Sequence, residues 1–214
     1  MGHRIPLLLL GDSITQQSFS TPGGWGASLQ NWYQRTGGEY YEGNHIPKSS
    51  LLQRSPRRPH LCLPPPPRPP LDVYNRGLSG YNSRWLLYCL SNPSYLSLPS
   101  TSSATPYSIL DHPGFHNDSG IITLFLGAND ASYDCPLGSE VTGQHVPPDE
   151  FHANILSIIQ HLATALSTPK PPVILVTPGP VSSSSWPMRS QENLRPYAES
   201  IRAIGESLVI LIST

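Results

Sequence analysis

The sequence predicts an α/β fold, a three-layer α/β/α sandwich built on a mostly parallel sheet of about five strands. Two observations predict it. Short, nearly continuous apolar runs recur along the chain, and such runs are typical of parallel strands that are covered on both faces. Segments with apolar residues at helical spacing lie between them, and strand–helix alternation favours a parallel sheet. The 214 residues fit a single domain with its own core.

The apolar runs predict the strands in chain order. The first run is Ile5–Leu10, and the second, Asp72–Asn75, is weaker. Two strong runs follow at Ile121–Leu126 and Val173–Val176. Leu208–Ile212, at the end of the sequence, is the fifth predicted strand.

Three helices are predicted between these runs. Gly26–Arg35 is the first and Glu192–Ser207 is the last. The clearest one begins near Pro148, where a proline followed by two acidic residues suits a first turn. It ends at Thr168-Pro169, and its apolar face consists of Phe151, Ile155, Ile158, Ile159, Leu162 and Leu166.

Two stretches are predicted to be irregular. The chain contains 25 prolines, and 8 of the 15 residues from Pro56 to Pro70 are proline. Because proline fixes φ and lacks an N–H donor, such a stretch forms neither a helix nor a central strand. We therefore predict an exposed, disordered insertion over Gly37–Pro70. Asn92–Asp118, rich in Ser, Thr and Pro, is predicted to be a surface connection.

Charge and cysteine usage exclude several classes of protein. A net charge of −1 without a clustered basic face argues against a nucleic-acid partner. The 3 cysteines are too sparse for a disulfide framework, and no Cys-x-x-Cys pair indicates a metal site. The apolar run near the start is too short to span a membrane. We expect a cytoplasmic protein without metal or cofactor, and the sequence does not indicate an oligomeric state.

Three polar loops follow predicted strands, at the sheet edge where α/β proteins bind ligands. Leu10–Thr15 places Ser13 at a helix start, where its hydroxyl is exposed and backbone donors are near. Asn75–Asn82 contains two glycines, which let the backbone approach a ligand. Phe125–Asp130 contains Asn129, whose amide can donate to an oxyanion. Each loop alone also fits an ordinary turn or helix cap, but the three in this order favour a catalytic site.

Together these loops resemble the sequence blocks of the SGNH (GDSL) hydrolases, and most of all those of the isoamyl acetate-hydrolysing esterases. Gly11–Ile14 resembles block I, Gly80 matches the block II glycine, and Gly127–Asp130 resembles block III. The resemblance runs from Ile5 to about Ala203, apart from the proline-rich insertion. It implies a flavodoxin-like SGNH fold and a carboxylic-ester hydrolase that acts on a small-molecule ester.

The resemblance also implies roles for single residues. Ser13 would be the nucleophile. The backbone N–H groups of Ser13 and Gly80 and the side-chain amide of Asn129 would form the oxyanion hole. Asp12 and Asp130 would anchor their loops.

The family's base is a histidine in an Asp-x-x-His motif after the fifth strand, and apart from the string Asp149–His152 no such motif follows Asn129 here. The string Asp149–His152 opens the predicted long helix, so we reject it as the catalytic pair. His145 is the one histidine retained as a pocket residue, because it lies in a loop near the carboxyl edge. We therefore expect a domain shortened at its C-terminal end, with little activity as it stands.

Two functions are compatible with these observations. The first is a serine ester hydrolase that cleaves small acyl esters through an acyl-enzyme. The second is a non-catalytic protein, either an inactive shortened member of the family or an interaction module whose segment Leu63–Pro67 binds an aromatic-lined groove. Phosphoryl transfer is disfavoured because no Gly-x-x-x-x-Gly-Lys loop occurs.

Overall fold

The computed structural model of the chain describes residues 5–20, 24–35, 71–92, 120–132, 143–166, 170–181 and 189–212. The predicted insertion Gly37–Pro70, which includes Leu63–Pro67, and nearly all of the predicted connection Asn92–Asp118 lie outside these residues. Within the described ranges, no helix is long and apolar enough to cross a lipid bilayer.

Four parallel strands form the sheet of the described residues. They are β1 (Ile5–Gly11), β2 (Leu71–Gly77), β3 (Ile121–Phe125) and β4 (Val173–Val176), in the order β2-β1-β3-β4. Gly11 at the end of β1 pairs with Gly77 of β2 and with Phe125 of β3. The carboxyl ends of three neighbouring strands therefore meet at one edge. The first four predicted strands are confirmed.

Five α-helices accompany these strands in the part of the chain that the structure describes. They are α1 (Ser13–Gln16), α2 (Trp25–Arg35), α3 (Ser83–Ser91), α4 (Pro148–Ala165) and α5 (Gln191–Ile212). A short 3-10 turn follows α1. The three predicted helices are confirmed as α2, α4 and α5, whereas α3 was not predicted from the sequence.

The prediction of a fifth strand at Leu208–Ile212 is wrong, because these residues end α5. One face of this helix buries residues at helical spacing, namely Leu194, Tyr197, Ile201 and Ile204. Leu208 packs against the same core one turn later, so the helical spacing continues into the apolar run. A short apolar run by itself does not distinguish a strand from the end of a buried helix.

Helices cover both faces of the central strand β1. Successive side chains of a strand point to opposite faces. Leu8 and Leu10 pack with residues of α3, α4 and α5 in the larger core, whereas Leu7 and Leu9 pack with residues of β2 and α2 in a smaller one. All four leucines are at most 4% exposed. This arrangement confirms the predicted α/β/α sandwich and leaves the strand ends for the site.

Candidate active site

The first loop carries Ser13 directly after β1. Asp12 caps α1, since its Oδ1 accepts a hydrogen bond from the Ile14 N–H at 2.9 Å. Ser13 is the first residue of α1 and is partly exposed. The N–H of a first helical residue has no partner within its own helix. Ser13 therefore brings a hydroxyl and a backbone donor to the carboxyl edge of the sheet.

Two glycines let this first loop pack against the neighbouring strands. A Cβ at Gly11 would lie 2.4 Å from the Phe125 carbonyl oxygen, and a Cβ at Gly77 would lie 2.1 Å from the Gln16 nitrogen. Asn75 of β2 holds the same contact, because its Nδ2 donates to the Gln16 carbonyl at 3.0 Å. The position of the loop thus depends on backbone packing that a side chain at either glycine would prevent.

The second loop carries Gly80, whose φ of +78° is a conformation that other residues rarely adopt. The Nε2 of Gln144 donates to the Gly80 carbonyl at 3.0 Å. The Leu78 N–H donates to the Gly11 carbonyl at 2.8 Å. The structure therefore places Gly80 in a loop that is bonded to the loop of Ser13.

The third loop places Asn129 and Asp130 just after β3. Their exposed fractions are 3% and 0%. Asn129 donates through Nδ2 to the Tyr81 carbonyl at 2.8 Å, and Asp130 accepts from the Ser83 N–H at 2.9 Å. Both contacts join the third loop to the second.

These hydrogen bonds link the three loops that carry the predicted site residues Ser13, Gly80 and Asn129. The loops follow the adjacent strands β1, β2 and β3 at one edge of the sheet. We expect the Ser13 Oγ to lie within roughly 8 Å of the Asn129 amide, because both must reach one reacting group. That separation stays a prediction.

Arg189 contacts the site although the sequence analysis did not select it. Its Nε donates to the Ala128 carbonyl at 2.7 Å, and its Nη2 donates to the Asn129 Oδ1 at 2.5 Å. Arg189 precedes α5 and is 60 residues away from Asn129 in the sequence. No motif or periodic spacing marks this arginine, so only the folded chain reveals the contact.

The sequence profile of the GDSL-like Lipase/Acylhydrolase family matches residues 9–212, which include all three loops. The chain belongs to this family. The isoamyl acetate-hydrolyzing esterase 1 homolog of Mus musculus is 35% identical to it over 180 residues, which cover 84% of this chain and 50% of the relative. A GDSL esterase/lipase of Arabidopsis thaliana is 29% identical and covers 96% of this chain and 67% of that protein. The GDSL-family chain thus spans about half the length of its mouse relative.

A solved structure shows the same fold. The acetylxylan esterase from Geobacillus stearothermophilus superposes with a TM-score of 0.53 at 20% identity, covering 96% of this chain and 74% of that chain. At this identity the likeness concerns the fold. The predicted α/β fold and the predicted membership of the GDSL hydrolases are both confirmed.

The GDSL-family site contains two carboxyl groups with raised pKa values. Burial raises the pKa of Asp12 to about 6, the Ile14 N–H opposes this rise, and the charge of Asp130 adds to it. Burial also raises the pKa of Asp130 to about 6, although hydrogen bonds from Ser83 oppose the rise. Burial lowers the pKa of Arg189, while the charge of Asp12 opposes that change. Asp12 and Asp130 therefore ionise less readily than exposed aspartates, and the charge of Asp12 acts on the partly buried guanidinium of Arg189.

His145 lies in a segment that follows the carboxyl edge. The residue before it, Gln144, holds the Gly80 carbonyl, and the N–H of the residue after it, Val146, donates to the Asp130 carbonyl at 3.1 Å. The His145 Nδ1 is buried and has no hydrogen-bond partner among the residues described. The structure therefore places His145 between two contacts to the site loops, as expected from the sequence.

The rejected histidine, His152, has a different partner. It lies on α4, and its Nδ1 is 2.9 Å from the Ser200 Oγ of α5. This contact joins α4 to α5 on one face of the sheet, so His152 holds two helices together. His161 likewise contacts Ser91 across α4 and α3, at 3.1 Å.

Proposed function

We propose that this protein is a serine ester hydrolase that acts on small acyl esters through an acyl-enzyme, with Ser13 as the nucleophile. One observation carries the proposal: the loops of Ser13, Gly80 and Asn129 are hydrogen-bonded to one another at the edge where parallel sheets bind ligands. A serine hydroxyl and N–H donors on contacting loops supply the nucleophile and the oxyanion donors of acyl transfer.

In this mechanism the Ser13 Oγ attacks the ester carbonyl carbon and gives its proton to a base. The N–H groups of Ser13 and Gly80 and the amide of Asn129 hold the charge on the tetrahedral oxygen. The ester C–O bond then breaks, the base returns the proton to the leaving alcohol, and an acyl group remains on Ser13. Water hydrolyses this acyl-enzyme and regenerates the hydroxyl.

The names of the similar proteins support a short acyl group. The mouse relative is named for isoamyl acetate, and the Geobacillus structure is that of an acetylxylan esterase. Both names specify an acetyl ester, whereas their alcohols differ greatly in size. We therefore propose an acetate-type acyl group and leave the alcohol open.

The test of the proposal depends on which group acts as the base. The family resemblance assigns it to a histidine in Asp-x-x-His, and the one such string after Asn129 in these 214 residues, Asp149–His152, lies at the start of α4. Two polypeptides are compared with 4-nitrophenyl acetate: the 214-residue chain, and the same chain extended by a family segment that carries Asp-x-x-His. Loss of the histidine in a serine protease lowers turnover on the order of a million-fold, so we expect slow turnover from the first and fast turnover from the second.

Each polypeptide is assayed beside its Ser13→Ala variant and beside Ser157→Ala, a control on α4. We expect Ser13→Ala to abolish the turnover of the extended polypeptide and Ser157→Ala to preserve it. Turnover that is the same with and without Ser13, in a folded extended polypeptide, would contradict the proposal and favour a non-catalytic protein. Fast Ser13-dependent turnover by the unextended chain would mean that another group, such as His145, is the base.

A further inference from the structure

The amide of Asn129 is held between two partners of opposite kind. A guanidinium has only N–H donors, so Arg189 requires the amide oxygen on its side. The Tyr81 carbonyl only accepts, so it requires the amide nitrogen on the other side. The two contacts together place the amide oxygen on the side of Arg189 and the amide nitrogen on the side of Tyr81.

The described residues provide an acceptor for only one N–H of this amide. Nδ2 carries two hydrogens, and the Tyr81 carbonyl accepts one of them. Among the described residues the other has no acceptor, although Asn129 is only 3% exposed. A buried donor without a partner is unfavourable, and a bound substrate oxygen would relieve this.

Arg189 holds both the main chain and the side chain at this point. Its Nε bonds the carbonyl of Ala128 while its Nη2 bonds the side chain of the next residue. A planar guanidinium makes two such bonds with fixed relative geometry, which an ammonium group does not. These two hydrogen bonds therefore restrain the rotation of the Asn129 side chain relative to the end of β3.

The charge of Arg189 has a second effect. A charged donor at an amide oxygen draws electron density from the amide nitrogen, and hydrogen bonds in such a chain strengthen one another. The available N–H of Asn129 consequently becomes a stronger donor. The charge of Asp12 raises the pKa of Arg189 and so favours the charged form of the guanidinium.

We propose that Arg189 is a positioning residue of the oxyanion hole, which holds and polarises the amide of Asn129 that binds the substrate oxygen. The proposal rests on the proposed esterase function for the identity of the bound oxygen. The hold on the amide itself does not depend on turnover, so it can be measured separately.

The first experiment measures the side-chain amide signals of Asn129 in the ¹⁵N-labelled 214-residue chain. The signals are assigned by their loss in Asn129→Asp. In Arg189→Met we expect the two proton signals to shift and to exchange faster with water, and in Arg189→Lys to change less. The matched control is Arg195→Met, which removes an exposed arginine of α5 and should leave the signals unchanged.

The second experiment measures kinetics in whichever polypeptide shows Ser13-dependent turnover. Removal of one oxyanion donor lowers kcat by roughly 100- to 1,000-fold in a serine protease. We expect Arg189→Met to lower kcat at least about tenfold with little change in KM, and Arg189→Lys to restore part of it. A purely structural arginine would lower thermal stability without this split.

Unchanged Asn129 signals in a folded Arg189→Met chain would overturn the proposal. If that variant does not fold, Arg189→Lys decides, and unchanged signals there overturn it equally. Failure of the esterase proposal is a separate result: Ser13→Ala would then leave turnover unaltered while the Asn129 signals still respond to Arg189.

Discussion

Two sets of polar contacts connect α3 to the rest of the structure, and the two sets differ in burial. At its start, Asn82 and Ser83 are both 0% exposed. Asn82 caps the helix by accepting from the Trp85 N–H at 2.9 Å, and its Nδ2 donates to the Gln144 carbonyl at 2.9 Å. The N–H of Ser83 is held by Asp130. This buried cap of α3 connects the second site loop, the third site loop and the segment of His145.

The outer contacts of α3 lie on its exposed side. Arg84 donates to Glu150 of α4 through two hydrogen bonds of 2.6 and 2.7 Å. The two side chains are 46% and 39% exposed. The pair shifts both pKa values, since the hydrogen bond raises the pKa of Arg84 and lowers that of Glu150. Its geometry is good, but water competes for the same groups.

We expect burial, more than bond length, to decide what each of these polar contacts contributes to stability. Asn82, Ser83 and Asp130 are 0% exposed, so a lost partner there leaves a donor or acceptor with little access to water. Groups of the outer pair regain water at once. Because the buried cap also joins the site loops, we expect the site and the stability of α3 to respond to the same substitutions.

The largest expected effect is that of Asn82→Ala. The substitution removes the N-cap of α3 and leaves the partly buried carbonyls of Gly143 and Gln144 without their donor. We expect it to lower the free energy of unfolding by about 3 kcal/mol. Urea unfolding with an unchanged m-value measures this. If the free energy of unfolding fell by less than about 0.5 kcal/mol, the contacts of Asn82 would contribute no more than an exposed salt bridge does.

A smaller effect is expected from pH. Asp130 has a pKa of about 6 in the folded chain against an ordinary value of 3.8. Between these values the folded state binds more protons at Asp130 than the unfolded state does, so the contribution of this carboxyl to stability is greatest below about pH 4 and is lost as the pH rises to about 6. We expect Asp130→Asn, which keeps an acceptor for Ser83, to remove roughly 2 kcal/mol of this fall.

Urea unfolding of both chains from pH 4 to pH 7 measures the change. Asp12 titrates over the same range, with a pKa of about 6 that is raised in part by the charge of Asp130. A reduced slope should therefore remain in Asp130→Asn and decrease further in the double variant with Asp12→Asn. Identical slopes in the parent and in Asp130→Asn would show that the burial of this carboxyl does not set its titration.

The smallest effect is expected from the outer pair. Arg84→Ala should lower the free energy of unfolding by about 0.5 kcal/mol or less, because both partners are well exposed. A double-mutant cycle with Glu150→Ala isolates the pair, and its coupling should shrink further in high salt. A coupling above about 2 kcal/mol would remove the distinction between the buried cap and the outer pair.

Much of the fold could be predicted because the relevant signals are local. Apolar runs such as Ile5–Leu10 stand between polar turns, and the acidic first turn and apolar stripe of α4 specify a helix in any surroundings. The helix α3 was missed because its nine residues combine with the glycine-rich loop before it and lack an acidic first turn. The short run Leu208–Ile212 was misassigned because the core against which Leu208 packs is formed by residues distant in sequence.

The residues of the candidate site also differ in whether a local sequence signal marks them. Ser13, Gly80 and Asn129 could be selected as candidates because each follows a strand within a short recognisable block, and the order of strands in a parallel sheet brings such blocks to one edge. Arg189 was not found, because its partners are 60 and 61 residues away and nothing adjacent marks it. The burial of Asp12 and Asp130, and with it their raised pKa values, also follows from packing between distant segments.

The sequence by itself therefore determined four strands, three of the helices, the three loops and the family to which they belong, since these depend on spacing within a few residues. Only the tertiary structure decided which partner each polar group has. The amide of Asn129 faces Arg189 on one side and Tyr81 on the other, and that choice arises from the approach of loops far apart in the chain. Hydrogen bonds act over about 3 Å, so no pattern along the sequence reports them until the sheet and its helices bring the groups together.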